Sequence, residues 1–444
     1  MTASLQEQAT INFYTWEARA RGYILNDAPV DIEPPYVPFV PVQPSRAQVY
    51  DDGRVQSLFS KALKLLSKGK QEQEQQPEIL PVPVQRADNR IAFSVVFPKH
   101  TEVQAILNHE LLHLLCYSED VFSFEILAQE GRIQILFTAS ESDSFRLRSQ
   151  LSAYFPTVII KEIAWNDIYF NLDKPVAIAD FGLENEFMLP TSSTHSFAVD
   201  PLTSIIATLS HVKDDEVALF QVLFKGVTAP WGNDALYASS DGKGGSFFEG
   251  YPNFINGVQE KISSPLFGVI MRIAVQGSNE HTSRYLVSEL ARNIKTVSTS
   301  EYNCLIPLSN EGYVYEEHLK NIYYRSSNRL GFILNSQELA HFVHYPNKTI
   351  ICQKLGLDND KTKRASISNN SGVYLGENIL NNESYPIYLD TESRLSHTYI
   401  VGATGVGKST LIANMMLSDI DAGRGCAIFA PHGDIVEDIL IPNL

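Results

Sequence analysis

Apolar and polar positions along the chain fall into stretches of different period. Val55, Leu58, Phe59, Ala62, Leu63 and Leu66 recur at helical spacing before the polar run from Lys68 to Gln76, which predicts one amphipathic helix and a tether. From residue 91 the texture becomes strand and helix in alternation. The pattern predicts a strand over 91–97 and a helix over 102–116. Phe122, Phe124 and Ile126 alternate, Gly131 supplies a turn, and Ile133, Ile135 and Phe137 alternate again, as a half-buried antiparallel hairpin does. Leu147, Leu151 and Tyr154 mark a helix closed by Pro156, and 157–161 reads as a short strand. The order βαββαβ predicts a ferredoxin-like sandwich.

A second round follows, with a helix over 202–209, strands over 217–225 and 266–275, and a helix over 280–294. Residues 233–256 between those strands, rich in Gly, Ser and aromatics, read as a long flexible loop. Ahead of both rounds, Pro34, Pro35, Pro38, Pro41 and Pro44 interleave with Tyr36, Val37, Phe39 and Val40, which predicts an extended, polyproline-like linker. The domain reading is therefore 1–88 as a Pro-rich and helical linker region, 89–170 as a ferredoxin-like α+β module, and 171–350 as a second α+β module. That second module carries the flexible loop near 226–262, and 351–444 is an incomplete P-loop NTPase domain.

Composition narrows the class. The chain has 444 residues, 44% apolar and 19% charged, so wholesale disorder is excluded. Its formal charge of −16 counts against a surface that coats nucleic acid or anionic membrane. Cys116, Cys304, Cys352 and Cys426 form no CxxC pair, which points away from a disulfide framework and toward a reducing cytoplasm. The start MTASLQEQAT lacks a signal-peptide pattern, and no continuous apolar run reaches spanning length.

Three short motifs carry less than they suggest. His109-Glu110-Leu111-Leu112-His113 has the HExxH spacing of a zinc helix, but only Glu119 and Glu125 follow nearby as third ligands, the second on a hairpin strand. The apolar stripe is read as Val103, Ile106, Leu107, Leu111 and Leu114, with Glu110 inside it and both histidines outside, so His109 and His113 are expected to hold no zinc. Ala179-Asp180-Phe181-Gly182 imitates a kinase magnesium loop without an HRD-type loop upstream. The triplets at Asn347, Asn369 and Asn382 imitate glycosylation sites and read as exposed polar loops.

The string Gly402-Ala403-Thr404-Gly405-Val406-Gly407-Lys408-Ser409 is GxxxxGK[ST], preceded by 397–402 as a buried strand and followed by a helix over 410–420. Glycines let backbone N–H groups turn inward around a β-phosphate, and a helix N-terminus adds partial positive charge. Lys408, the catalytic candidate, would reach the β- and γ-phosphates, and Ser409 would ligate Mg²⁺ on ATP. Gly423 and Gly425 stop the helix around Arg424, and 426–429 reads as another buried strand. No hydrophobic strand ending in Asp-Glu follows, so Walker B and a water-activating Glu are missing. Turnover of ATP is not expected of these residues alone.

The stretch HTYIVGATGVGKSTLIANMMLSDIDAGRGCAIFAPHGDIVEDIL resembles the opening of the motor domain in HerA-like and conjugative DNA-translocating ATPases, including helicase HerA, FtsK-type pumps and type IV secretion coupling ATPases. DPLTSIIATLSHV and ILNSQELAHFVHYP are similar to N-terminal regions of such proteins. The resemblance implies a RecA-like α/β motor, commonly hexameric, that drives DNA through a ring and sits in the cytoplasm or peripheral to a membrane complex. Its partners would be ATP, DNA for the complete motor, further copies of itself, and membrane-channel or secretion-system subunits. The positions carried over are Gly402, Gly405, Gly407, Lys408, Ser409 and Thr410. One departure is Ala430-Pro431-His432-Gly433-Asp434, where the family usually has Asp first. The chain is thus expected to be the N-terminal part of a translocase, a truncated or split product. The alternative is a non-catalytic docking or assembly module with a residual P-loop.

Overall fold

The computed structural model describes residues 5–40, 80–86, 90–96, 105–118, 120–155, 158–164, 170–171, 174–192, 199–240, 253–347, 350, 352, 354–355, 371–380, 383–403, 405–429, 436 and 439. The helix expected over 55–66 and its tether lie outside them. The chain divides into two compact units, residues 1–158 with 162–357, and residues 358–444 with 159–161.

The first unit is mixed α+β, built on one large antiparallel sheet. Its first half runs β1 (Ile91–Val96), α2 (Ala105–Leu115), β2 (Phe122–Gln129), β3 (Arg132–Ala139), α3 (Glu141–Tyr154) and the end of β4 (Ile159–Ile163), whose residues 159–161 are counted with the second unit, after an N-terminal α1 (Leu5–Glu17). The second half runs β5 (Ala177–Leu183), α4 (Leu202–Leu209), β6 (Val217–Gly226), α5 (Trp231–Ser239), α6 (Phe254–Ile262), β7 (Leu266–Gln276), α7 (Glu280–Ser298) and β8 (Leu305–Pro307). α8 (Tyr315–Tyr324), β9 (Phe332–Asn335) and α9 (Ser336–Leu339) follow. The strand order is β4-β1-β3-β2-β6-β7-β5-β8, with β9 on β7. Each half therefore places its first strand beside its third, and the two halves meet where β2 pairs antiparallel with β6, from Phe122↔Phe224 to Ala128↔Ala218.

Local chemistry explains several of these elements. Glu130 and Gly131 both have positive φ, 51° and 71°, the geometry that folds a two-residue hairpin with the twist of its strands. Ser140 caps α3 by accepting from the Asp143 N–H at 3.3 Å, and Asn279 caps α7 by accepting from Thr282 N–H at 2.9 Å. The β2–β3 hairpin, expected to be half-buried, is a correction: every residue of β2 is buried. Its edge is taken by β6, and both faces are covered. On one face Phe93, Phe124 and Phe137 lie under α2 and α3, lined by Leu111, Leu112, Leu115 and Leu151. On the other, Leu127, Leu136, Leu219 and Ala274 pack with Ile322 of α8 and Phe170.

Two other expectations change. Residues 233–256, read as a loop, carry most of α5 and the start of α6, because Trp231, Ala235 and Ala238 on α5 and Phe254 and Val258 on α6 supply buried faces at helical spacing; 241–252 lie outside the described residues. The Pro-rich segment, as far as Val40, is docked. The Tyr36 hydroxyl and the Phe39 N–H both donate to Asp234 Oδ2 at 2.8 Å, and the Phe39 ring sits 5.4 Å from Trp16 and 6.1 Å from Tyr237.

The second unit contains the hairpin β10 (Val373–Leu380) and β11 (Glu383–Leu389), the short α10 (Thr391–Arg394) and α11 (Lys408–Asp421). The strands expected over 397–402 and 426–429 are not strands, and neither is buried. Tyr399 is 90% and Phe429 97% exposed. A strand exists through its ladder of hydrogen bonds to neighbours, and among the described residues neither segment has one. Among the described residues a RecA-like sheet is therefore not seen. Among the described residues, no helix is long and apolar enough to cross a membrane.

Candidate functional site

The glycine string opens a helix, as its spacing predicts. α11 begins at Lys408, two residues earlier than read from the sequence, directly after Gly407. Gly405 and Gly407 have φ of 85° and 89°, a region that side-chain-bearing residues rarely adopt. A Cβ at Gly402 would stand 2.8 Å from Val406 Cγ2, so that position is held small by the loop itself. The Lys408 ammonium folds back and donates to the carbonyls of Gly402 at 2.8 Å and Ala403 at 2.6 Å. Ala403, Val406, Ser409 and Thr410 are exposed, and Thr404 lies outside the described residues, as does the 430–434 segment.

These residues fit a polyphosphate. The left-handed glycines and the free N–H groups of a 14-residue helix's first turn are the parts an anion cradle needs. Lys408 is already tethered over the loop, and Ser409 stands one residue further into the helix. A cation at the first helical position is unfavourable against the helix dipole unless an anion joins it. The far end of α11 is fixed differently. Asp419 accepts from Arg394 Nη1 at 2.7 Å and Arg424 Nε at 2.8 Å, with a second contact to Arg394 Nη2. Those hydrogen bonds, Arg394 first, hold its carboxyl down at about 2.

Two of the motifs set aside in the sequence, at 109–113 and 179–182, are built into the first unit. The buried face of α2 is Asn108, Leu111, Leu112 and Leu115; Glu110 is exposed and outside the apolar stripe, contrary to the wheel reading, because the helix turns Leu112 and Leu115 onto β1 and β3. His109 Nε2 lies 3.0 Å from Ser336 Oγ, and the two histidine rings stand 6.3 Å apart, edge to face. Glu119 lies outside the described residues. Among the described residues, no group of three or more His, Cys, Asp or Glu is placed to hold a metal ion.

Glu125 and Asp180 belong to a feature the sequence reading missed. Across four neighbouring strands, Glu125 (β2), Gln221 (β6), Arg272 (β7) and Asp180 (β5) stand directly opposite one another, forming a polar row through the sheet. Gln221 donates to Glu125 at 2.7 Å, and Arg272 Nε donates to Gln221 at 2.6 Å. Arg325 is bidentate on Glu125. Asp180 receives Arg329 Nε at 3.1 Å and lies 3.0 Å from His318 Nε2, whose ring stacks on Tyr313. All are buried. Burial alone would raise the Glu125 carboxyl, but the Arg325 charge and the hydrogen bonds from Arg325, Ser123 and Gln221 outweigh it and hold it below the carboxylate range. The row is sealed from solvent, so its chemistry is structural: it fastens α8 and the segment after it to the seam between the two halves.

A family model described as a domain of unknown function, DUF8128, matches residues 103–241. The match runs from α2 to α5 and so crosses the β2–β6 seam. No curated protein matches the chain.

Proposed function

We propose that this chain is the ATP-binding N-terminal portion of a DNA-translocating ATPase of the HerA-like and type IV secretion coupling kind, with two ferredoxin-like modules ahead of the opening of a RecA-like motor. The observation that carries this reading is the glycine string at 402–409, with Gly405 and Gly407 left-handed and Lys408 starting a helix. Each half of the large sheet follows a βαββαβ course, apart from the helices inserted between β6 and β7, with the strand order of a ferredoxin-like fold.

In this reading the 405–409 amides and Lys408 bind the β- and γ-phosphates, and Ser409 ligates the accompanying Mg²⁺. Bound Mg-ATP supplies the phosphoryl group whose hydrolysis drives the complete motor. In this reading these residues bind nucleotide, and sustained turnover is not expected of them alone. DNA, a hexameric ring, and membrane-channel or secretion subunits are partners of the complete motor, in the cytoplasm or beside a membrane complex.

A fluorescent ATP analogue tests the assignment. Binding to the full chain with Mg²⁺ is expected, and Lys408→Ala is expected to weaken it at least tenfold, the loss of one charged contact in a phosphate site. Equal binding by both proteins removes the P-loop assignment. A second reading, a docking module with a residual P-loop, draws on the exposed, unpaired stretches 397–402 and 426–429; it gains if Mg-ATP leaves hydrogen exchange in α11 unchanged.

A further inference from the structure

The last turn of α1 buries a carboxyl with little to balance it. Glu17 is 0% exposed. Its Oε1 accepts one hydrogen bond, from the Phe187 N–H at 3.0 Å. Its Oε2 has no hydrogen-bond partner among the described residues, and neither does Nε1 of Trp16 or of Trp231. These groups share one neighbourhood: the Trp16 ring lies 5.2 Å from Phe187 and 6.1 Å from Trp231. The nearest cation is Arg21, with Nε 3.7 Å from Oε1. That guanidinium is drawn away, donating to the carbonyls of Leu183 and Glu184 and leaning over the Tyr23 ring. Glu186, the other charged group facing Glu17, repels it, and the Tyr23 phenol stands close enough to feel its charge.

A buried carboxylate needs several donors or a close cation to stay ionised without penalty. Glu17 has one amide and an offset arginine. A protonated carboxyl in the same place has no charge to desolvate and so costs less. We propose that Glu17 is a proton-sensitive latch on α1: the neutral carboxyl keeps the helix seated, and its ionisation loosens α1 together with the Pro34–Phe39 segment that rests on it. The coupling to that segment runs through Phe39, whose ring lies 6.4 Å from Phe13 and 5.4 Å from Trp16.

Desolvation first, against the opposing charge of Arg21, carries the Glu17 carboxyl from 4.5 up to about 7. The folded value exceeds the released one, so the seating contribution is complete below 4.5, is lost as pH rises toward 7, and changes little beyond that.

Native-state hydrogen exchange on the full chain, corrected for intrinsic rates, tests the latch. The opening constant of amides in α1 is expected to rise about tenfold from about pH 6 to about pH 8. Glu17→Gln is expected to flatten that rise. A wild-type profile with no rise, or a Gln variant with the same rise, overturns the proposal. Should Glu17→Gln not fold, Arg21→Ala serves: removing the one nearby cation is expected to move the transition to higher pH, and an unmoved transition overturns the latch.

Discussion

Arg325 reaches Glu125 across 200 residues of sequence, donating from Nε at 2.9 Å and Nη2 at 3.1 Å to its two carboxylate oxygens. Glu125 belongs to the first half of the sheet. Arg325 ends α8, with a left-handed φ of 49°. A bulky residue adopts that backbone only when its surroundings hold it there. Here the anchor is the ion pair itself, together with the Arg325 Nη1 bond to the Tyr323 carbonyl at 2.8 Å.

Breaking one side of this pair strands the other charge in the core. Glu125→Ala is therefore expected to lower unfolding free energy by about 3–5 kcal/mol, measured by urea denaturation. A double replacement with apolar residues, Glu125→Leu with Arg325→Met, is expected to cost less than the single change, because no buried charge remains uncompensated. The pH trend has a fixed sign. Glu125 and Asp180 both sit below the ordinary carboxylate range, Asp180 because His318, Arg272 and Arg329 together overcome its burial. Their stabilisation is present above the ordinary carboxylate values and is lost as pH falls below them. Equal acid sensitivity of wild type and the double variant would count against the row as an acid-labile element.

The Pro-rich segment gives a second prediction. One carboxylate oxygen, Asp234 Oδ2, holds both the Tyr36 hydroxyl and the Phe39 amide. Asp234→Ala removes both hydrogen bonds at once. Release of 34–40 is expected, seen as faster cleavage after Tyr36 or Phe39 in limited proteolysis, with a loss of about 1–2 kcal/mol in seating the segment. Because burial, and then the Asp234 hydrogen bond and charge, push the Tyr36 phenol up to about 12, Asp234→Ala is also expected to bring one tyrosine back toward ordinary titration. Unchanged cleavage in the variant would show that ring packing alone holds the segment.

What could be read from the sequence was what local chemistry decides. The Phe122–Phe137 hairpin announces itself through alternation and Gly131, and α4 was bounded correctly because Leu202, Ile205, Ile206 and Leu209 lie on one helical face. The glycine string at 402–409 is contiguous, so the helix that opens at Lys408 needed no distant partner to be read. Partnerships were not legible. Asp180 lies within a strand, yet a carboxylate between Ala179 and Phe181 looks like a loop until His318 and Arg329, well over a hundred residues away, are seen to neutralise it. The burial of β2 depends on β6, which no local pattern reveals. Residues 397–402 show the converse: a strand-like sequence is not a strand without neighbours.

Asp419 supplies the last prediction, at the end of α11 opposite the glycine string. A carboxylate in the last turn of a helix opposes the helix dipole. Two arginines reverse that cost. Arg394, on α10, donates from both terminal nitrogens, and Arg424, beyond the helix stop, donates from Nε while its own N–H closes on the Asp419 carbonyl at 2.8 Å. α10 and the turn after α11 are thereby tied to one side chain. Arg424 is half in solvent, so screening limits the gain. Asp419→Asn is expected to cost roughly 1 kcal/mol, read as faster hydrogen exchange in the last turn of α11. With a folded value of about 2 against an ordinary 3.8, the contribution is complete above about pH 4 and is lost as pH falls toward 2. Acidification should therefore loosen wild type toward the Asn variant and leave the variant itself unchanged. An Asn variant that still loosens over the same range would assign the acid sensitivity of this helix end to another group.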